Sequence, residues 1–203
     1  MRGSISAARS VLVAILAAVL LVASGCATDK RTIQTSGKLY TEVAALAADS
    51  TLVAHARVVS VVARTVDDGG DSHAAVQIPV IIYALDLMSS NPSMSGSIQL
   101  VWPDTDKVTI DDYMGLTQGK EYVFFLDSAR PEERGGLQGF GTLYLPVGEV
   151  NGVFEVSGGT AQSLGRSLVR MNQGGSPASM ADGHLSTSVG ELLKLTPGKA
   201  NRP

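Results

Sequence analysis

Thr51-Leu52-Val53-Ala54-His55-Ala56-Arg57-Val58-Val59-Ser60-Val61-Val62-Ala63-Arg64-Thr65-Val66 is the stretch that decides the fold. It is rich in valine, and Leu52, Ala54, Ala56 and Val58 alternate with His55 and Arg57. That period of two belongs to a strand with one buried face. Asp67-Asp68-Gly69-Gly70-Asp71 breaks the run. Ala75 to Leu87 then reads as a second long strand, with Val76, Ile78, Val80 and Ile82 on one face. Pro79 removes a ladder donor there, which predicts an edge position or a bulge.

Working outward, the pattern predicts further strands at Ser97 to Trp102, Glu121 to Leu126, Gly139 to Leu145 and Val153 to Val156. The last two bracket Asn151-Gly152, a dipeptide that favours positive φ at both central turn positions and is the strongest hairpin signal in the chain. On the N-terminal side, Leu39, Val43 and Leu46 recur at helical spacing, which predicts a helix from Lys38 to Ala48 capped by Ser36. Beyond Gly159 the signals weaken. Gln162 to Met171 reads as a short helix or an irregular return, Asn172 to Gly183 as a glycine- and serine-rich mobile stretch, and Ser188 to Leu195 as a final helix. The expected fold is therefore mainly β, a small antiparallel barrel or sandwich with flanking N- and C-terminal helices.

Two strings in this β region carry a family likeness. Ser50-Thr51-Leu52-Val53-Ala54-His55-Ala56-Arg57-Val58-Val59-Ser60-Val61 and Gly119-Lys120-Glu121-Tyr122-Val123-Phe124-Phe125-Leu126 resemble the OB-like barrels of the netrin/metalloproteinase-inhibitor type over about residues 50–157. Inhibitors of that family present a disulfide-bonded N-terminal cysteine to zinc. This chain has one cysteine and no partner for it, so the resemblance implies the fold and not the inhibition.

That cysteine is Cys26. Arg2 and Arg9 form a positive n-region, and Val11 to Ala23 is an unbroken apolar run, short of the roughly 20 residues of a bilayer span. Val22-Ala23-Ser24-Gly25-Cys26 resembles the lipobox of bacterial lipoproteins, with Ala23 where that family more often has leucine. The resemblance implies a diacylglyceryl thioether on Cys26 and cleavage just before it. Ala23-Ser24-Gly25 also fits an ordinary secretory cut, and the segment would alternatively remain as a short anchor. The lone cysteine argues against both, because an unpaired thiol in an oxidising compartment is a liability unless its sulfur is occupied. Residues 1–25 are then a removed signal peptide, 26–37 a lipidated tether, 38–157 the helix and β-barrel domain, and 158–203 a partly flexible C-terminal segment. The expected place is the extracytoplasmic face of the cell membrane.

Charge and motifs narrow the chemistry. Without Arg2 and Arg9 the chain has 14 basic against 19 acidic residues and no basic run, so nucleic acid is excluded as an expected partner. His55, His73 and His184 show no zinc-ligand spacing. Asp182 and His184 lie near Ser163, Ser167 and Ser186, which leaves a hydrolase assembled from distant residues as an alternative, without a Gly-x-Ser-x-Gly elbow. The aspartates at 67–71 and at 104, 106, 111 and 112 read as turn and cap residues rather than a calcium loop. No motif calls for a cofactor. Trp102 and Tyr113, at a strand end and in the following loop, are the candidate ligand surface, since rim aromatics of small barrels stack on sugars or peptides; a rim tryptophan equally serves as a plug that closes the barrel end. The expected function is a non-enzymatic binding module presented to an envelope protein or glycan, with a peptidase-inhibitor-like module as a further alternative.

Overall fold

A computed structural model of the chain describes residues 31–33, 38–67, 78–110, 113–129, 137, 139–172 and 179–199. In chain order the elements are β1 (Arg31–Ile33), α1 (Val43–Asp49), β2 (Leu52–Asp67), β3 (Ile78–Asn91), β4 (Ser97–Pro103), β5 (Val108–Ile110), β6 (Glu121–Ala129), β7 (Leu143–Pro146), a 3-10 turn (Glu149–Gly152), β8 (Val153–Ser157), β9 (Thr160–Ser163), β10 (Ser179–Ala181), β11 (His184–Ser188) and α2 (Val189–Leu193). The fold is mainly β, with one short helix ahead of β2 and one after β11. Among the described residues no helix is long and apolar enough to cross a membrane. The expected signal peptide and Cys26 lie outside the described residues, as does Ser36.

Nine strands form one sheet in the order β10-β11-β9-β8-β6-β2-β3-β4-β7, and β7 also pairs with β6. The second pairing makes a partial ring of β2, β3, β4, β7 and β6. All its pairs are antiparallel except β4 with β7, where Gln99 and Leu100 face Leu143 and Tyr144 in parallel. β6 is where the sheet divides. Residues 121–126 bond β2 on one edge, while the other edge holds β8 along 121–124 and β7 along 126–129.

This branching explains why Tyr122-Val123-Phe124-Phe125-Leu126 is continuously apolar rather than alternating. Tyr122, Phe124 and Leu126 face the inside of the ring with Leu52, Ala54, Ala56, Leu85, Leu100 and Trp102. Val123 and Phe125 face the opposite layer with Val53, Phe154, Leu185, Val43 and Leu46 of α1 and Leu192 of α2. A strand buried on both faces has no polar side to show. A third cluster, Val80, Ile82, Val101, Leu137 and Leu143, covers the outer face of β3 and β4.

Several local expectations are corrected. Helix α1 starts at Val43 rather than Lys38, and Leu39 is 72% exposed instead of continuing the apolar stripe. Its first amides are satisfied by another segment, Val43 N–H donating to Arg170 O (3.1 Å) and Ala44 N–H to Met171 O (2.8 Å). A helix end capped by neighbouring backbone needs no capping side chain. Three residues of the expected tether, Arg31–Ile33, form β1, parallel to β5. Pro79 has the one-sided strand pairing expected of an edge position, although β3 as a whole lies between β2 and β4. It is the second residue of β3, paired with Val66 before β4 joins at Val80, so its missing N–H costs little.

Asn151-Gly152 is not a hairpin turn. β7 and β8 do not pair with each other; both run antiparallel to β6, and the 3-10 turn is a step between two segments on the same edge. Gly152 is required there by space: a Cβ would lie 2.1 Å from Val147 O. The actual hairpin joins β8 to β9 through Gly158 and Gly159, with φ of 57° and 82°. Positive φ at both central positions is the requirement of a two-residue turn between twisted strands. The sheet therefore runs past Ser157, through β9, β11 and β10, where a partly flexible C-terminal segment was expected; of the short helix or irregular return expected at 162–171, Gln162 and Ser163 end β9 and the rest is irregular. Ser188 does cap the last helix, its Oγ accepting from Glu191 N–H (3.2 Å).

Candidate functional site

The extension β8-β9-β11 has one face on the inner layer and one face outward. Phe154 and Ala161 point inward, so by alternation Glu155, Ser157, Thr160 and Gln162 point out. Register places Glu155 opposite Gln162, which in turn faces Ser186, and Ser157 opposite Thr160, which faces Ser188. His184 lies two residues before Ser186 on the same face. Together with Met114 and Leu164 these residues line a groove of about 340 Å³. Its floor is continuous with the ring interior, because Leu164 packs in that cluster.

Charge in the groove is unevenly satisfied. Glu155 accepts from Lys120 Nζ at 2.6 Å, and this bond raises the lysine pKa. His184 Nδ1 is 2.7 Å from Ser163 O, and Arg166 Nε is 3.3 Å from His184 Nε2. A guanidinium only donates, so Nε2 must offer its lone pair and the proton must be on Nδ1, donating to the Ser163 carbonyl. The ring is therefore held as one neutral tautomer.

Those bonds decide the hydrolase grouping. Ser163 Oγ donates to Gly165 O (2.7 Å) and accepts from Leu185 N–H (3.0 Å), so His184 meets its carbonyl and not its hydroxyl. Ser163 is also buried. Ser167 Oγ is 2.6 Å from Tyr40 O and 2.7 Å from Asn151 Oδ1, away from His184. Asp182 holds a positive-φ turn position (51°), and among the described residues no hydrogen bond joins it to His184. Of the three serines the sequence offered beside Asp182 and His184, Ser163 and Ser167 bond elsewhere through their hydroxyls, while Ser186 lines the groove with His184.

The aromatic surface is corrected too. Trp102 is fully buried, its Nε1–H donating to Met114 O (3.0 Å) and its ring 5.1 Å from that of Tyr113. The indole fills the ring interior and leaves no face for a sugar or peptide. Tyr113 packs against it, and burial, then the charge of Glu149, pushes the phenol pKa up. Such tilted rings stabilise each other as core partners.

The remaining candidates have structural partners. His55 Nε2 lies 3.2 Å from Glu121 Oε2, and Arg57 donates to Glu121 Oε1 at 2.7 Å. The bond from Arg57 holds the Glu121 carboxyl below its usual range. Asp104 is buried and accepts twice from Arg64 (2.8 and 2.9 Å), tying the turn after β4 to β2. Asp68–Asp71, Asp111, Asp112 and His73 lie outside the described residues. Among the described residues no group of three metal-ligating side chains gathers.

Arg166, Glu155, Gln162, Ser157 and Thr160 were missed by the sequence reading. The signal was present: polar residues at 155, 157, 160 and 162 interleave with Phe154, Val156 and Ala161 on either side of Gly158-Gly159. Comparison of the chain with models of protein families, with curated proteins and with solved structures gives no match.

Proposed function

We propose that this chain is a lipoprotein held on the extracytoplasmic face of the cell membrane through lipid on Cys26, whose β domain binds an envelope protein or glycan without catalysing a reaction. The anchor reading rests on the sequence: the only cysteine follows an apolar run and three small residues. Two acyl chains, at about 0.8 kcal/mol per buried CH₂, are enough for stable attachment. The OB-type likeness is supported by the cyclic order β2-β3-β4-β7-β6 with its single parallel pair.

The observation that carries the binding reading is the groove. Glu155, Ser157, Thr160, Gln162, His184 and Ser186 form a polar surface on rigid strands over an apolar floor, the composition expected of a site that orients a ligand by hydrogen bonds. His184 is fixed in one tautomer by groups that are not reacting atoms, which suits recognition better than proton transfer.

The test is a photo-crosslinking residue at Thr160, an exposed position of the groove, compared with one at Lys194, an exposed position at the end of α2 outside the groove lining. In intact envelopes the groove position is expected to capture a discrete partner that the Lys194 position does not. Equal or absent capture from both would overturn the groove as the binding surface.

A further inference from the structure

We infer that the groove of β8, β9 and β11 takes a carboxylate-bearing carbohydrate, with Arg166 as the group that receives the carboxylate. This rests on the reading of the groove as a binding site and names its ligand class.

Arg166 is set apart from the other arginines whose side chains are described. Arg57 holds Glu121, Arg64 holds Asp104, and Arg170 lies 3.0 Å from Glu42. Arg166 meets no carboxylate among the described residues; its one partner is the neutral His184 ring, which occupies Nε. That bond sets the guanidinium beside the groove through a lining residue, and its two terminal nitrogens, the pair whose geometry matches a carboxylate fork, meet no carboxylate among the described residues. The residue is exposed, so this cation is available. The groove's own carboxylate, Glu155, is neutralised by Lys120 and does not repel an anion.

The rest of the lining specifies what carries the anion. Ser157, Thr160 and Ser186 present hydroxyl groups on strands about 4.8 Å apart, each of them both a donor and an acceptor. Such a surface matches a ligand with many hydroxyls better than an apolar or a purely ionic one. Met114 and Leu164 supply the small apolar area that the carbon face of a sugar covers. His184 holds the Arg166 Nε through its fixed tautomer and so acts as a positioning residue.

The experiment uses the full chain in detergent micelles, titrated calorimetrically with uronate oligosaccharides, their methyl esters and inorganic phosphate. The acids are expected to bind about tenfold or more tightly than the esters, a difference set by one charge-assisted fork. Arg166→Ala should remove that difference and leave ester binding unchanged, while Arg57→Ala should change neither. His184→Ala should weaken acid binding only. Equal binding of acid and ester would overturn the role of Arg166 while leaving a sugar-binding groove in place. Binding of phosphate but not of uronates, or of no probe, would overturn the ligand class. The crosslinking comparison at Thr160 and Lys194 would still decide separately whether the groove binds anything.

Discussion

Replacing Trp102 with phenylalanine should lower stability by about 2–4 kcal/mol. Two terms make up that figure. The indole N–H donates to Met114 O, and a phenyl ring leaves that partly buried carbonyl without its partner, at about 1–2 kcal/mol. The smaller ring also leaves a void among Leu100, Tyr113 and Leu116, adding about 1–2 kcal/mol of lost packing. With a urea m-value of about 2 kcal/mol/M, the unfolding midpoint should fall by roughly 1–2 M. Far-UV circular dichroism is the assay, because the substitution removes the only tryptophan. In the parent protein that tryptophan should emit in the blue and resist iodide quenching. A midpoint shift under about 0.25 M, within the ±0.5 kcal/mol of surface substitutions, would refute the reasoning and return Trp102 to the role of an exposed stacking platform.

Other substitutions and conditions test other parts of the account. Gly152→Ala places a methyl 2.1 Å from the Val147 carbonyl, so an urea midpoint loss equivalent to about 1–3 kcal/mol is expected, and an unchanged midpoint would mean that the step between β7 and β8 is misplaced. Asp49 and Glu121 titrate below their ordinary 3.8 and 4.5, Asp49 through hydrogen bonds from Lys38 and then Tyr40, Glu121 through that from Arg57. Carboxylates with depressed folded values contribute stability above their unfolded values and lose it as pH falls through the folded ones. Urea midpoints should therefore drop below about pH 4.5, and less so in Glu121→Gln. At the alkaline end the sign reverses: burial raises the Tyr113 phenol, so its contribution is complete below pH 10 and is lost as pH rises beyond it, visible as alkaline unfolding that Tyr113→Phe delays.

Much of the sheet is legible in the residues. β2 was expected from Thr51 to Val66 and spans Leu52–Asp67, because its valines and its alternation both favour a strand. The last helix was expected over Ser188 to Leu195 and forms over Val189–Leu193, with Ser188 as its cap. The errors share one cause, which is that pairing is not local. Asn151-Gly152 has ideal hairpin chemistry, yet the runs on either side each find β6 instead of one another. The 162–171 stretch reads as a short helix or an irregular return, and after the Gly158-Gly159 turn lays β9 on β8 the chain beyond Ser163 takes the irregular form. Trp102 looked like a rim residue because nothing in its neighbourhood announces that Met114 will fold back to accept its N–H. For the groove, His184 was visible by type, whereas Arg166 becomes distinctive only when Arg57, Arg64 and Arg170 are each seen beside a carboxylate.

The claim on which the proposed function depends most is the lipid on Cys26, and intact-mass and peptide mass spectrometry of the protein purified from membranes tests it directly. The account predicts an N-terminus at Cys26 carrying a diacylglyceryl mass, and its loss from both label and membrane in Cys26→Ala. A chain that still begins at Met1, or a Cys26 thiol without acyl chains, would contradict it.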